Sequence, residues 1–373
     1  MSLFDDFRQP LYEGKDVNLS DDWYCFTCSE RGKLSKCSRC GVARYCSSKC
    51  QKENWSEHKS QCKELKNADA VIEREYEKLC HHTPWFGGGT ENLFETSIGH
   101  FWEIMESRDY YRALFGKARL LADLGHHFEI RPLNETILRI YLRLLRLSRS
   151  DNLGIRDLVP SLLLAMNRDE DCYGFIKWWE MQEDSELTDD YPLGSEQEDD
   201  LNWWPYLKNE DPTEDLFAIV EDPEYTSLHF KSVLCIIKLR IIAKWKVEIE
   251  QMEALESCAN STVHPMVNEI ASYHSGRDIT PAKLAEQEAQ VEKLLDSIQT
   301  HNSIFLKAVL HPGPLWIMGM PSSCGSRGSP EEAFLTLSNV CRHFARTPGA
   351  HDRLRARLGH DLSYDCSYDP SPF

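Results

Sequence analysis

Seven of the 14 cysteines in this 373-residue chain fall between positions 25 and 62, with one histidine among them. The string reads Cys25-x2-Cys28-x8-Cys37-x2-Cys40-x5-Cys46-x3-Cys50-x7-His58-x3-Cys62. Thiolate and imidazole are the donors of tetrahedral structural zinc, and eight of them fill two sites. Two intervening residues let a tight turn aim both sulfurs at one metal, so Cys25/Cys28 and Cys37/Cys40 are expected on turns. Three intervening residues place side chains one helical turn apart on one face, so Cys46/Cys50 and His58/Cys62 are expected on helices. Four protein ligands leave no open position, which makes each site structural and not catalytic. About 40 residues bury too little to fold alone, so metal must supply folding energy. The spacings do not decide which four ligands share an ion.

The string resembles the MYND-type zinc finger. All eight ligand positions fit, as do Ala43-Arg44-Tyr45-Cys46, the Gln51 after Cys50, and the Trp55 ahead of His58. A RING module would end on a Cys-x2-Cys pair, which is absent. The resemblance implies interleaved ligation: Cys25, Cys28, Cys46 and Cys50 on one zinc, and Cys37, Cys40, His58 and Cys62 on the other. It also implies a protein-binding module. In co-repressor relatives such fingers take up short proline-containing peptides as an added strand. There a Ser, a Gln and a Trp line the groove, and Ser48, Gln51 and Trp55 stand at the matching positions.

The remaining chain must carry this module. Lys and Arg number 42 against 60 Asp and Glu, for a net charge of −18. That balance argues against general nucleic-acid binding and against anionic membranes. Residues 25–62 are the exception, with eight Lys/Arg and three acids. The N-terminus has no apolar signal region, and the most apolar stretch, 233–249, is interrupted by five charges. An intracellular location in cytoplasm or nucleus is expected, where clustered cysteines are metal ligands and not disulfides. The other seven cysteines are scattered and are expected as buried or inert thiols.

Beyond Cys62 the pattern is helical. Residues 108–125 show a period near 3.6 and close on Gly125. Residues 132–148 begin at a proline and are apolar around most of the helix, except for a stripe of Arg139, Arg143 and Arg146. Two short helices are expected in 155–167 and 171–182, with Pro160 as a boundary in the first. Long helices are expected over about 225–258 and from Thr280-Pro281 toward Leu310. A loop spans 311–330. The capping box Ser329-Pro330-Glu331-Glu332 opens a last helix over 330–346. Residues 183–224 hold 16 acids, one lysine and four prolines, the composition of a loop or insertion, although Trp203-Trp204-Pro205-Tyr206-Leu207 has the makings of a docked segment.

The expected fold is therefore mainly α: a two-zinc finger followed by an α-helical array, resembling solenoid-like helix pairs but with no clean repeat. Expected segments are a tail at 1–20, the finger at 21–66, helical regions at 67–182 and 225–373, and the acidic insertion at 183–224.

No Gly-x-Ser-x-Gly, Walker or His-Glu-x-x-His motif occurs. The Gly run at 87–89 and the pairs His81-His82 and His126-His127 are expected in turns and at helix ends. A MYND finger also occurs inserted in lysine methyltransferases, but that arrangement needs half of a SET domain ahead of the finger. Only 24 residues precede Cys25, and no Asn-His-Ser-Cys type cofactor motif follows. The expected function is a non-enzymatic adaptor or transcriptional co-regulator binding a protein or short proline-containing peptide, with no specific nucleic-acid or membrane partner. The alternative is a methyltransferase or other enzyme with an unrecognised site in the helical body.

Overall fold

In the computed structural model, residues 19–84, 87, 89–182, 207–219, 226–259, 279–321 and 325–366 are described, without the side chains of 125–128, 182 and 255–259. The chain divides into two units, met below as residues 19–167 and 168–366.

The first unit begins with the finger. Strands β1 (Ser35–Lys36) and β2 (Arg44–Tyr45) pair antiparallel with Ser35 opposite Tyr45. They are the only strands of two or more residues among the described residues. Helix α1 (Ser48–Glu53) is capped by Ser47, whose hydroxyl accepts from the Cys50 amide. Helix α2 (Trp55–Cys80) carries His58 and Cys62 in its first turns and runs on for 26 residues. It packs against α4 (Arg108–Phe128), which in turn packs against α5 (Arg131–Leu147). The short α3 (Leu93–Thr96) and an aromatic cluster of Tyr76, Phe94, Phe101 and Tyr110, with centroids 4.7–6.5 Å apart, fill the space beside α2. Helix α4 continues to Phe128 and does not stop at Gly125, so His126 and His127 lie within it. Helix α6 (Val159–Ala165) has Pro160 in its first turn, where the missing N–H costs nothing.

The arginine stripe of α5 is not uniformly solvated. Arg139 is exposed, but Arg143 lies over the rings of Phe94 and Tyr110 at 5.8 and 5.9 Å. Its position was legible in the sequence. Its aromatic neighbours come from α3 and α4, which the sequence period of α5 does not reveal.

The second unit is built on α8 (Leu228–Ala259), whose residues from Leu228 to Leu239 are all buried. α7 (Asp169–Gln182), α9 (Pro281–His301) and α12 (Pro330–Arg346) pack on it. The expected helix from 281 to Leu310 is broken at Asn302, and α10 (Phe305–Leu310) follows. The expected loop 311–330 contains a short helix, α11 (Gly313–Met318), and α13 (Ala350–Leu358) is an addition the sequence period did not signal.

Most of the acidic insertion, including Trp203 to Tyr206, lies outside the described residues. The described part, 207–219, is held in place by polar contacts. Lys177 donates to Glu210 and Glu214 at 2.5 and 2.6 Å, Tyr173 donates to Glu214 at 2.8 Å, and Lys238 donates to the Glu214 carbonyl at 2.5 Å. Lys177 is buried, so the Glu210 and Glu214 carboxylates neutralise a charge that the core could not otherwise hold, whereas Lys238 meets only neutral oxygens and burial brings its ammonium down to about 8.

The capping box forms in altered shape. Ser329 accepts from the Glu332 amide as expected, at 3.2 Å. The Glu332 carboxylate, however, accepts from the Gly328 amide, from Asn302 and from His301, at 2.8, 3.0 and 2.7 Å. These contacts hold its carboxyl below the usual range despite burial. Since Nε2–H donates to Glu332, Nδ1 of His301 is the acceptor facing the buried Lys231 ammonium 3.4 Å away. One carboxylate thus joins α9 to α12. Glu332→Ala leaves two buried side chains and an amide without this acceptor, and is expected to cost on the order of 2–4 kcal/mol in a denaturant melt. A loss below about 1 kcal/mol would show that water replaces it fully.

Candidate metal centre

The two turn-borne pairs are built alike. The amide four residues after the first cysteine closes each knuckle: Ser29 N–H donates to the Cys25 carbonyl at 2.9 Å, and Gly41 N–H donates to that of Cys37 at 2.8 Å. Both closing residues take left-handed backbone, φ +60° at Ser29 and +70° at Gly41. Glycine meets that demand freely in the second knuckle, and serine accepts it in the first. Tyr45, fully buried on β2, donates its hydroxyl to Asn54 between the two helices at 2.8 Å and meets the His58 ring edge-on.

These elements bring all eight sequence-predicted ligands into two groups: Cys25, Cys28, Cys46 and Cys50; and Cys37, Cys40, His58 and Cys62. Within each group the ligand atoms lie within 4.8 Å of one another. This is the interleaved arrangement. Zinc–sulfur bonds of about 2.3 Å give a tetrahedron with sulfur–sulfur edges of about 3.8 Å. The observed edges match: Cys28–Cys46 3.6 Å, Cys46–Cys50 3.5 Å, Cys28–Cys50 3.8 Å and Cys37–Cys62 3.7 Å. Nε2 of His58 stands 3.5 Å from Cys40 Sγ, so Nε2 is the ligating atom. Disulfides would need about 2.05 Å.

The thiols of each group shift in both directions: hydrogen bonds with Cys50 and Cys28 push Cys46 up to about 12 and burial pushes Cys62 up to about 12, so a cation is needed to deprotonate each set fully. Burial lowers the pKa of His58, which keeps the imidazole neutral, the form that binds metal. Burial opposes ionisation of Cys25, but backbone N–H groups of Cys28, Cys46 and Thr27 outweigh it and bring the thiol down to about 6. The donor sets therefore fit two structural zinc ions, one held by four cysteines and the other by three cysteines and a histidine. The second set is wholly buried, while Cys28 and Cys46 of the first are exposed.

Of the three residues matching the peptide groove, Ser48 is exposed, Gln51 is half-buried, and Trp55 keeps 38% of its surface exposed against the edge of His58. Ser48 and Gln51 stand one turn apart on α1, and Trp55 opens α2 just past the junction at Asn54. Among the described residues, the other highlighted histidines, His81 and His82, do not converge on a site. His82 pairs with Glu91 in a bridge that closes the glycine-bearing turn, and His81 caps α2. Among the described residues no other group of Cys, His, Asp or Glu could hold a metal, and no helix is long and apolar enough to cross a membrane.

The family model of the MYND finger matches residues 24–62. Among curated relatives, histone-lysine N-methyltransferase SMYD3 of Homo sapiens is 60% identical over 35 residues, 9% of this chain and 8% of its own length. N-lysine methyltransferase SMYD2 of Homo sapiens is 56% identical over 39 residues, 10% of this chain and 8% of its own. Ubiquitin carboxyl-terminal hydrolase 19 of Arabidopsis thaliana is 40% identical over 57 residues, 15% of this chain and 8% of its own. The chain thus matches less than a tenth of the length of these three relatives, all through the finger. No solved structure matches. The chain carries a zinc-binding MYND finger, a protein-interaction module, on a mainly helical body.

Proposed function

We propose that the chain is a non-enzymatic adaptor or transcriptional co-regulator, acting inside the cell in cytoplasm or nucleus. In this reading its MYND finger captures short proline-containing peptides on Ser48, Gln51 and Trp55. The observation that carries it is the exposure of Trp55 beside a closed zinc site. A large aromatic left partly in water at the start of a rigid, metal-anchored helix is the kind of anchor that dominates peptide interfaces. The two zinc sites support a binding role because all four positions of each are taken by protein ligands, which leaves none for a substrate. The relatives share the finger across methyltransferases and a ubiquitin hydrolase, so the finger itself is common to different chemistries.

Trp55→Ala is expected to weaken capture of a proline-containing peptide by about tenfold or more, measured by fluorescence anisotropy, with two zinc ions per chain retained by native mass spectrometry. Unchanged capture would remove Trp55 from the groove. Saturable binding of a methyl-donor analogue to the intact chain would overturn the non-enzymatic reading in favour of a methyltransferase.

A further inference from the structure

The first three turns of α2 sort their charges by face, although Glu73 and Glu77 return to the same arc farther along the helix. At about 100° per residue, Trp55, Lys59, Lys63 and Lys66 fall within an arc of about 80°. Lys52 stands in the last turn of α1, just ahead of the stripe, while Glu57 and Glu64 lie round α2 from it. All four lysines are exposed, and none makes an ion pair among the described residues, although several acids lie nearby in sequence. Glu53 faces Lys49 at 3.9 Å, Glu57 accepts from Asn54, Glu64 accepts from Ser60, and Asp69 pairs with Lys117.

Several cations of the second unit do find a carboxylate. Lys177, Arg240, Lys246, Lys293, Arg353 and Arg357 are each paired with a carboxylate. In a chain of net charge −18, acids are in excess, yet among the described residues no lysine of this stripe is ion-paired. Lys59 and Lys63 stand at i and i+4, and Lys63 and Lys66 at i and i+3, spacings at which like charges destabilise a free helix.

We propose that the lysine stripe Lys52–Lys59–Lys63–Lys66 is a docking surface for an acidic peptide segment of a partner protein, whose apolar or proline residue seats on Trp55 while its Asp and Glu side chains run along the stripe. This rests on the peptide-binding reading above and narrows its ligand. A peptide with a few carboxylates meets the stripe without bringing the dense charge of a polyanion toward an acidic chain, so a peptide is favoured over nucleic acid.

The test uses the full zinc-loaded chain and labelled short peptides that share one Leu-Pro pair. One carries flanking Asp and Glu; its counterpart carries Asn and Gln at the same places. Anisotropy titrations are made with the natural chain, with Lys59→Glu/Lys63→Glu, and with Trp55→Ala. The acidic peptide is expected to bind about tenfold tighter than its amide counterpart, to lose that advantage in the double variant, and to weaken with salt. Neither lysine has an ion-pair partner among the described residues to lose, so the double variant is expected to keep both zinc ions and its thermal midpoint. Equal binding of both peptides, dependent on Trp55, would overturn the stripe and leave the groove standing. Binding of neither peptide would overturn the groove as well. Tighter binding of a short DNA duplex than of the acidic peptide would reassign the stripe to nucleic acid and overturn the proposal.

Discussion

Stripping both zinc ions with a strong chelator is expected to unfold residues 24–62 and to leave α8, α9 and α12 folded. A structural zinc site contributes on the order of 10 kcal/mol of folding free energy near neutral pH. The finger has little else: Phe26, Ala43 and Tyr45 are its buried apolar residues besides the cysteines, together with two strands of two residues each. The second unit has its own core, in which Val233, Ile236, Leu295, Ile298, Phe334 and Phe344 are all fully buried. Hydrogen exchange read by mass spectrometry checks this directly. Protection is expected to vanish across the finger and the first two turns of α2, and to persist from Leu65 to Leu79, where α2 packs on α4. Loss of protection over 228–346 would show instead that the whole chain depends on the metal. Single ligands are expected to differ. Cys62→Ser strikes the buried site that anchors α2 through His58, whereas Cys46→Ser strikes the more exposed all-cysteine site, so the former is expected to have the larger effect.

His229→Leu is expected to stabilise the chain and to remove much of its acid sensitivity between pH 6.5 and 4. His229 is buried in the first turn of α8, and neither ring nitrogen finds a hydrogen-bond partner. Burial alone drives its pKa down to about 3. The unfolded histidine titrates near 6.5. The folded pKa is therefore depressed, so its stability contribution is complete above about pH 6.5 and is lost as pH falls toward 3. At about 1.36 kcal/mol per pH unit, full titration removes roughly 4–5 kcal/mol. Leucine has similar volume and no nitrogen to desolvate, so at pH 7 it is expected to gain about 1–2 kcal/mol. Denaturant melts of both chains at pH 7, 6, 5 and 4 check it, and the difference between them should widen steadily with acid. Parallel curves would mean that the imidazole is solvated. Asp151, in the first unit, works in the opposite sense: burial raises its carboxyl to about 6, despite amide bonds from Ile155 and Arg156. The difference between the two chains isolates His229 from it.

The eight zinc ligands were legible in the sequence because zinc imposes short, repeating intervals on the chain around it, and those intervals are one-dimensional. Local rules likewise placed the starts of α9 and α12, where Thr280-Pro281 and Ser329-Pro330 are caps with proline in the first turn. Only the tertiary structure decided which ligands share an ion. Spacing fixes pairs, but joining pairs needs the fold of β1–β2 to carry Cys46 and Cys50 back to the first knuckle and α2 to carry His58 and Cys62 to the second. The same holds for every long-range polar choice. Glu332 left its reciprocal cap for Asn302 and His301 on another helix, Arg143 found rings on α3 and α4, and Lys177 found acids more than 30 residues away. The lysine stripe of α2 belongs here too. Its spacing is written in the sequence, but whether its lysines are paired depends on which acids the fold brings within reach, and among the described residues none of them is ion-paired.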